Sequence, residues 1–226
     1  MLAPDLAQPW LVADLGGPQR VLSFAPWRAG FVTTRRIVWR EVRNADLTPE
    51  LDVRRWIAGT LAERGLSDAV TMLTSHDIRR FVRIEREVEG IRAAALATVG
   101  LGNAERVGQR HFRAVPEDTP GYGTINIAVQ VAGPGPRWGL SRVAQIEALT
   151  IAAQARTAAV MEAGLDLPGG RVTGTGTDCL ALAAPPGREV FAGLHTALGE
   201  AVGAAVHAAV REGASDWIAR NGGLSP

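Results

Sequence analysis

The feature that most restricts the fold of this chain is its alternation of two hydrophobic periods. Strand-length runs, either alternating or wholly apolar, are interleaved with stretches of helical spacing. Arg20 to Phe24 is a first strand-like run, ended by a turn containing Pro26. In Ile37 to Val42, Ile37, Trp39 and Glu41 alternate with Val38, Arg40 and Val42. Ala69 to Leu73, Ile125 to Val131 and Cys179 to Ala183 are apolar runs of strand length, and Phe81 to Val88 and Ile91 to Val99 flank Glu89-Gly90 as the arms of a hairpin. Thr48 and Pro49 read as the cap and first residue of a helix from about Glu50 to Glu63, stopping near Gly65. Ser141 caps a long helix ending near Gly164, with Val143, Ile146, Leu149, Ala153 and Val160 at helical spacing. A last helix from about Leu194 to Val210 repeats Leu194, Leu198, Val202, Val206 and Val210 at i+4. This mixture predicts an α/β (α+β) fold: one domain over residues 1–226, with a mixed β-sheet core and helices packed on at least one face. No internal repeat or separating linker interrupts it.

Composition sets what such a domain can do. Apolar residues make up 46 % of the 226, enough for a core, but aromatics are 5 %, so alanine and aliphatic residues must do the packing. The 24 basic and 23 acidic residues give a net charge of +1, which offers no electrostatic grip on nucleic acid or an anionic membrane. Cys179 is the single cysteine, so neither an internal disulfide nor a multi-cysteine metal site can form. The start, Met1-Leu2-Ala3-Pro4-Asp5, lacks the basic and apolar regions of a signal peptide, and no run reaches the ~20 apolar residues of a membrane span. A cytoplasmic location is the expectation. The alanine-rich final helix pairs with a copy of itself in a homo-oligomer or packs onto the sheet.

The most site-like segment is Thr173-Gly174-Thr175-Gly176-Thr177-Asp178. Alternating glycine and threonine lets the backbone approach a ligand with amides and hydroxyls, and Asp178 falls where the loop enters a strand, a common place for chemistry in α/β proteins. A tight surface loop with Asp178 capping its turn explains the same residues. The segment is neither a P-loop nor a dinucleotide fingerprint. His195, after Gly193 at the start of the last helix, suits a general base or ligand, although capping or packing accounts for it as well. Glu200 and His207 lie two turns apart, about 10 Å, too far to share an ion, and read as a solvated face. His76 and Asp77 follow a strand and are in reach of a pocket at the sheet edge, while turn capping explains Ser75 and Asp77 equally. His111, with Arg110 and Arg113, reads as surface. Cys179 points to the face opposite Asp178, as a buried structural thiol or, in the alternative, a nucleophile. Asn103 occupies a turn. Asn126 lies inside an apolar strand, where a buried amide needs partners, and is the better ligand candidate.

Six segments in order, Thr74-Ser75-His76-Asp77, Thr98 to Gly108, Gly123 to Val131, Glu147 to Ala159, Thr173 to Asp178 and Gly193 to Gly203, resemble the adenosylcobinamide amidohydrolase family. The resemblance covers about residues 70 to 210. Val21 to Ala25 matches loosely, and Met1 to Gln19 carries no motif. It implies a salvage enzyme that hydrolyses the amide joining aminopropanol to a propionate of the corrin ring. The products would be adenosylcobyric acid and 1-aminopropan-2-ol, and complete cobamides are a further possible substrate. Cobalt and the adenosyl group belong to the substrate, and no separate cofactor and no metal are expected; no metallo-amidase motif or nucleophile elbow is present.

Such chemistry needs an activated water or nucleophile, donors for a tetrahedral oxyanion, and a proton for the leaving amine. On the resemblance, Asp178 is expected as base or water-orienting carboxylate and His195 as proton shuttle, paired through the strand and helix that follow. Thr175, Gly176 and Thr177 would contact the oxyanion or the substrate amide. Asn126 and Asn103 would hold corrin side-chain amides, with Ser75, Glu147 and Glu200 as further binding residues, loop bracing being the alternative reading of the two glutamates. Two other readings fit the same residues. One is a corrinoid carrier or sensor without catalysis. The other is an amidohydrolase of another amide, its pocket reshaped by Gly133 to Trp138.

Overall fold

The computed structural model describes residues 1–43, 46, 50–109 and 123–222. In chain order the strands are β1 (Ala3–Ala7), β2 (Trp10–Ser23), β3 (Gly30–Glu41), β4 (Val70–Thr74), β5 (Val82–Val88), β6 (Ile91–Val99), β7 (Ala104–Glu105), β8 (Ile125–Ala132), β9 (Asp166–Leu167), β10 (Gly170–Arg171), β11 (Gly174–Thr175) and β12 (Cys179–Ala184). The helices are α1 (Val53–Glu63), α2 (Arg142–Glu162) and α3 (Ala197–Asn221). One mixed sheet runs in the order β4-β3-β2-β12-β8-β6-β5, with β1 added on β2. The pairs β3/β4 and β8/β12 are parallel, and each needs a crossover, which α1 and α2 supply.

The long strand β2 bends this sheet. Its first half pairs with β1 on one side and its second half with β12 on that same side, while β3 pairs with both halves across a register shift between Asp14 and Gln19. Gly16, at φ +76°, lies inside the shift, where a left-handed conformation favours glycine. The sheet therefore folds over itself. Leu11, Trp39 and Met72 from one half share a buried core with Ala94, Leu96, Ala128 and Ala181 from the other. Polar contacts stitch the halves: Leu2 N–H donates to Gln130 Oε1 at 2.6 Å, and Gln130 Nε2 donates to the Leu15 carbonyl at 2.9 Å. Helices cover both outer faces. Ile57 and Leu61 of α1 pack on Trp10 and Val38, while α2 and α3 pack on the odd-numbered residues of β6 and β8. Alanine does much of that packing, and Gly213 of α3 lies where an added Cβ would be 2.7 Å from Val99 Cγ2.

The expected mixed sheet with packed helices is the observed fold, and several elements differ in extent. Strand pairing begins at Ala3, not Arg20, because β1 and the first half of β2 gain their hydrogen bonds from neighbours rather than from an apolar period of their own. Asp52 caps α1, its side chain accepting from Arg55 N–H; Thr48 and Pro49 lie outside the described residues, as do Arg110, His111 and Arg113. Helix α3 starts at Ala197 and continues past Val210 to Asn221, closed by Gly222 at φ +69°. Leu194 is thus outside the helix and 70 % exposed. Ser141 caps α2 by accepting from Ala144 N–H, and Glu89 and Gly90 both take positive φ in the β5–β6 turn, as a two-residue hairpin requires. Trp138 is half-buried over Gly133 rather than exposed.

Candidate active site

Four strand ends converge through the folding of the sheet: the C-terminal ends of β4 and β6 and the N-terminal ends of β8 and β12. Register places Cys179, Asn126 and Thr98 side by side across β12, β8 and β6, with their side chains on the inner face. Asp178, one residue earlier, turns toward α2 instead.

Asp178 is the hub of the glycine-threonine loop. Its carboxylate accepts from Thr175 N–H at 3.1 Å, from the Thr175 hydroxyl, and from Ile125 N–H at 3.3 Å. It also forms an ion pair with Arg156 of α2. Burial lowers the Arg156 pKa from its ordinary value. Gly174 is required here, since a Cβ would stand 2.5 Å from both Arg156 Nη1 and Asp178 Oδ2. Around this hub, Thr124 donates its hydroxyl to the Thr177 carbonyl at 2.8 Å, and Gly176 N–H donates to the Asn103 carbonyl at 3.0 Å. Asn103 Nδ2 lies 3.4 Å from Thr177 Oγ1. Thr175 is buried, whereas Gly176 and Thr177 are exposed. The loop therefore presents a solvent-facing edge on an anchored base.

Asn126 donates Nδ2 to the Leu73 carbonyl at 2.7 Å, fastening the end of β4 onto β8. The turn after β4 follows: Thr74 Oγ1 accepts from His76 N–H at 3.0 Å, and Asp77 caps a short 3₁₀ turn. Ser75 is half-buried in that turn. His76 is buried against Gly100, where a Cβ would lie 3.2 Å from His76 Nδ1. Desolvation, with Arg220 adding to it, lowers the His76 pKa to about 4, so the imidazole is neutral at pH 7. Asn126 Oδ1 and Thr98 Oγ1 are buried without hydrogen-bond partners. Cys179 is 5 % exposed and burial pushes its thiol up to about 12, which makes it inert as a nucleophile near neutral pH.

Asn103, Asn126, Thr175, Gly176, Thr177, Asp178 and Ser75 are thus gathered at these strand ends. Glu147, His195 and Glu200 are not. The expected pairing of Asp178 with His195 is absent, because β12 carries the chain away from Asp178 at about 3.3 Å per residue before His195 is reached. Beyond that strand, Ala192 N–H is held by Glu147 Oε2 at 2.6 Å. Glu147 precedes Arg156 on α2 by nine residues, about 13 Å of rise. Glu147 is a brace for this turn. Thr196 caps α3, accepting from Gly199 N–H and donating to the Gly193 carbonyl, and His195 and Glu200 face solvent. His207 pairs with Glu162 at 2.9 Å. Sequence reasoning missed Arg156, Thr98 and Thr124. Arg156 left a trace, as a lone charge on a helix that is alanine-rich around it. Among the described residues, no three His, Cys, Asp or Glu side chains are grouped to hold a metal, and no helix is long and apolar enough to cross a membrane.

A family model described as adenosylcobinamide amidohydrolase matches residues 3–222 of this chain. Comparison with curated proteins and with solved structures finds no match.

Proposed function

The chain belongs to the adenosylcobinamide amidohydrolase family, and from that premise we propose that it cleaves the aminopropanol amide of adenosylcobinamide at the strand-end cluster. Membership makes it a hydrolase of C–N amide bonds. The observation that ties the reaction to these residues is the anchored loop at Asp178, whose exposed Gly176–Thr177 edge adjoins Asn103 and, through Thr124, the polar inner face at Asn126.

Water attacks the amide carbon, the carbonyl electrons move to oxygen, and collapse of the tetrahedral intermediate expels the amine once its nitrogen is protonated. In this reading Thr177 and Asn103 hydrogen-bond the amide-bearing arms of the corrinoid. Asp178, engaged by Arg156 and the loop, fixes the position of that edge. His195 lies outside the reacting centre. Water is the only co-substrate, cobalt and the adenosyl group arrive with the corrinoid, and no separate cofactor takes part. Complete cobamides carry the same amide, and the same attack serves them where the nucleotide loop fits.

The test is incubation of the purified protein with adenosylcobinamide, followed by chromatography with mass detection. Adenosylcobyric acid and 1-aminopropan-2-ol in equal amounts are expected. Tight binding without turnover would make it a carrier, and absence of binding would remove the corrinoid reading. A parallel incubation with a complete cobamide sets the substrate range.

A further inference from the structure

His76 is the buried histidine among the described residues, 8 % exposed, while His195 and His207 are more open. Its position is over-determined. Asn126 pins the Leu73 carbonyl, Thr74 Oγ1 holds the His76 N–H, and the missing side chain of Gly100 makes room for the ring. Nothing in this framework uses the imidazole, whose ring nitrogens make no hydrogen bond to another described residue. Thr98 lies near the end of β6, two residues before Gly100, and is directly opposite Asn126. Thr98 Oγ1 and Asn126 Oδ1, in residues with no exposure, also have no partner. Unsatisfied buried polar groups are rare and costly in a protein interior, and these two, paired across the strands next to the turn that carries an unengaged imidazole, point to a ligand-handling role.

We propose that His76 is the proton acceptor of the hydrolysis, with Asn126 as a positioning residue that holds the end of the preceding strand, and with the unpartnered Thr98 hydroxyl orienting the reacting water; this rests on the amidohydrolase reading above. The imidazole takes a proton from the attacking water as its oxygen bonds to the amide carbon and the carbonyl electrons move to oxygen. The imidazolium then gives that proton to the amine nitrogen as the C–N bond breaks, so the histidine returns to its starting state. The charged groups around the ring are Arg220, Arg80, Asp77 and Asp216. The two carboxylates favour the transient imidazolium, and the two guanidinium groups with burial keep the resting ring neutral. The resulting base has about the strength of a carboxylate but starts uncharged, so proton uptake leaves a cation beside the oxyanion.

The experiment measures kcat and KM on adenosylcobinamide, from pH 4 to 9, for the wild type, His76→Gln and Thr98→Val. Melting curves on the same samples establish folding. His76→Gln is expected to lose about a hundredfold or more in kcat with KM little changed. Thr98→Val, which keeps shape and removes an unpartnered hydroxyl, is expected to melt no lower than wild type and to lose about tenfold in kcat. Wild-type kcat/KM should hold down to about pH 5 and fall only beyond it. Turnover by wild type with both variants equally active would overturn the assignment and leave the amidohydrolase reading standing, as would an acid limb at the pH of an ordinary solvated histidine. A wild type that does not cleave adenosylcobinamide would overturn the reading and this assignment together. Should His76→Gln fail to fold, the Thr98→Val kcat and the wild-type pH profile decide.

Discussion

Arg156 and Asp178 form an ion pair beneath the glycine-threonine loop, with side chains 17 % and 8 % exposed. The pair joins the middle of α2 to the turn that enters β12, and the same carboxylate holds Thr175 and Ile125. One side chain therefore fixes the helix, the loop and the start of β8 relative to one another. Removing a partner from such a pair strands a buried charge, whereas replacing both with apolar groups is far less costly.

Asp178→Asn should accordingly lower stability by about 3–5 kcal/mol, measured by denaturant unfolding. The double variant Arg156→Met/Asp178→Leu should recover part of that loss, with the remainder reflecting the stranded N–H groups of Thr175 and Ile125. A single variant as stable as wild type would mean that the ion pair is not formed. Activity of Asp178→Asn has to be compared per folded molecule, since a fall in activity alone would follow from the loop losing its anchor.

Gly174→Ala should disturb the same hub from another direction. Its Cβ would meet Arg156 Nη1 and Asp178 Oδ2 at 2.5 Å, and overpacking of this kind costs about 1–3 kcal/mol. Gly203→Ala, whose Cβ would sit in ordinary contact at 3.7 Å from Ile151, is the control and should cost little. Melting temperatures of the two variants make the comparison.

The His76 titration contributes to stability with a defined sign. Its folded pKa, about 4, is below the ordinary 6.5, so between those values the unfolded chain binds the extra proton. The contribution is complete above about pH 7 and is lost as pH falls from 6.5 toward 4, to a total of about 3 kcal/mol. The difference in unfolding free energy between wild type and His76→Gln should therefore change over that window and be flat above it. A difference that stays constant from pH 4 to 7 would show that the ring is solvated.

Cys179 should be silent. Its thiol, raised to about 12 by burial, is protonated at pH 8, so iodoacetamide should neither modify the folded protein nor reduce its activity. Cys179→Ala should retain turnover. Rapid loss of activity on alkylation would bring back a thiol nucleophile.

The local elements of this protein were legible in its sequence because their causes are local. Ser141 and Gly164 delimit α2 through a cap and a left-handed residue, Glu89-Gly90 turns the β5–β6 hairpin, and the apolar run from Cys179 marks β12. The glycine-threonine segment was legible as a loop for the same reason. Family motifs added the chemistry but not the partners. The segment around His195 reads as one such motif, yet much of it is a helix cap in which Thr196 and Gly199 do the holding.

What the tertiary structure decided was which distant residues meet. Strand β1 and the front of β2 exist because neighbouring strands complete their hydrogen bonds, a cause that lies outside their own residues. The bend between Asp14 and Gln19 folds the sheet over and brings the turn carrying His76 onto Asn126, 53 positions from the Leu73 carbonyl that Asn126 grips. The direction of β12 separates Asp178 from His195 despite their closeness in sequence, and the packing of α2 gives Asp178 an arginine instead. Periodicity and capping act over a few residues, so sequence alone sets the elements. Register, curvature and charge pairing depend on surfaces that exist only once those elements have packed, and they compose the site.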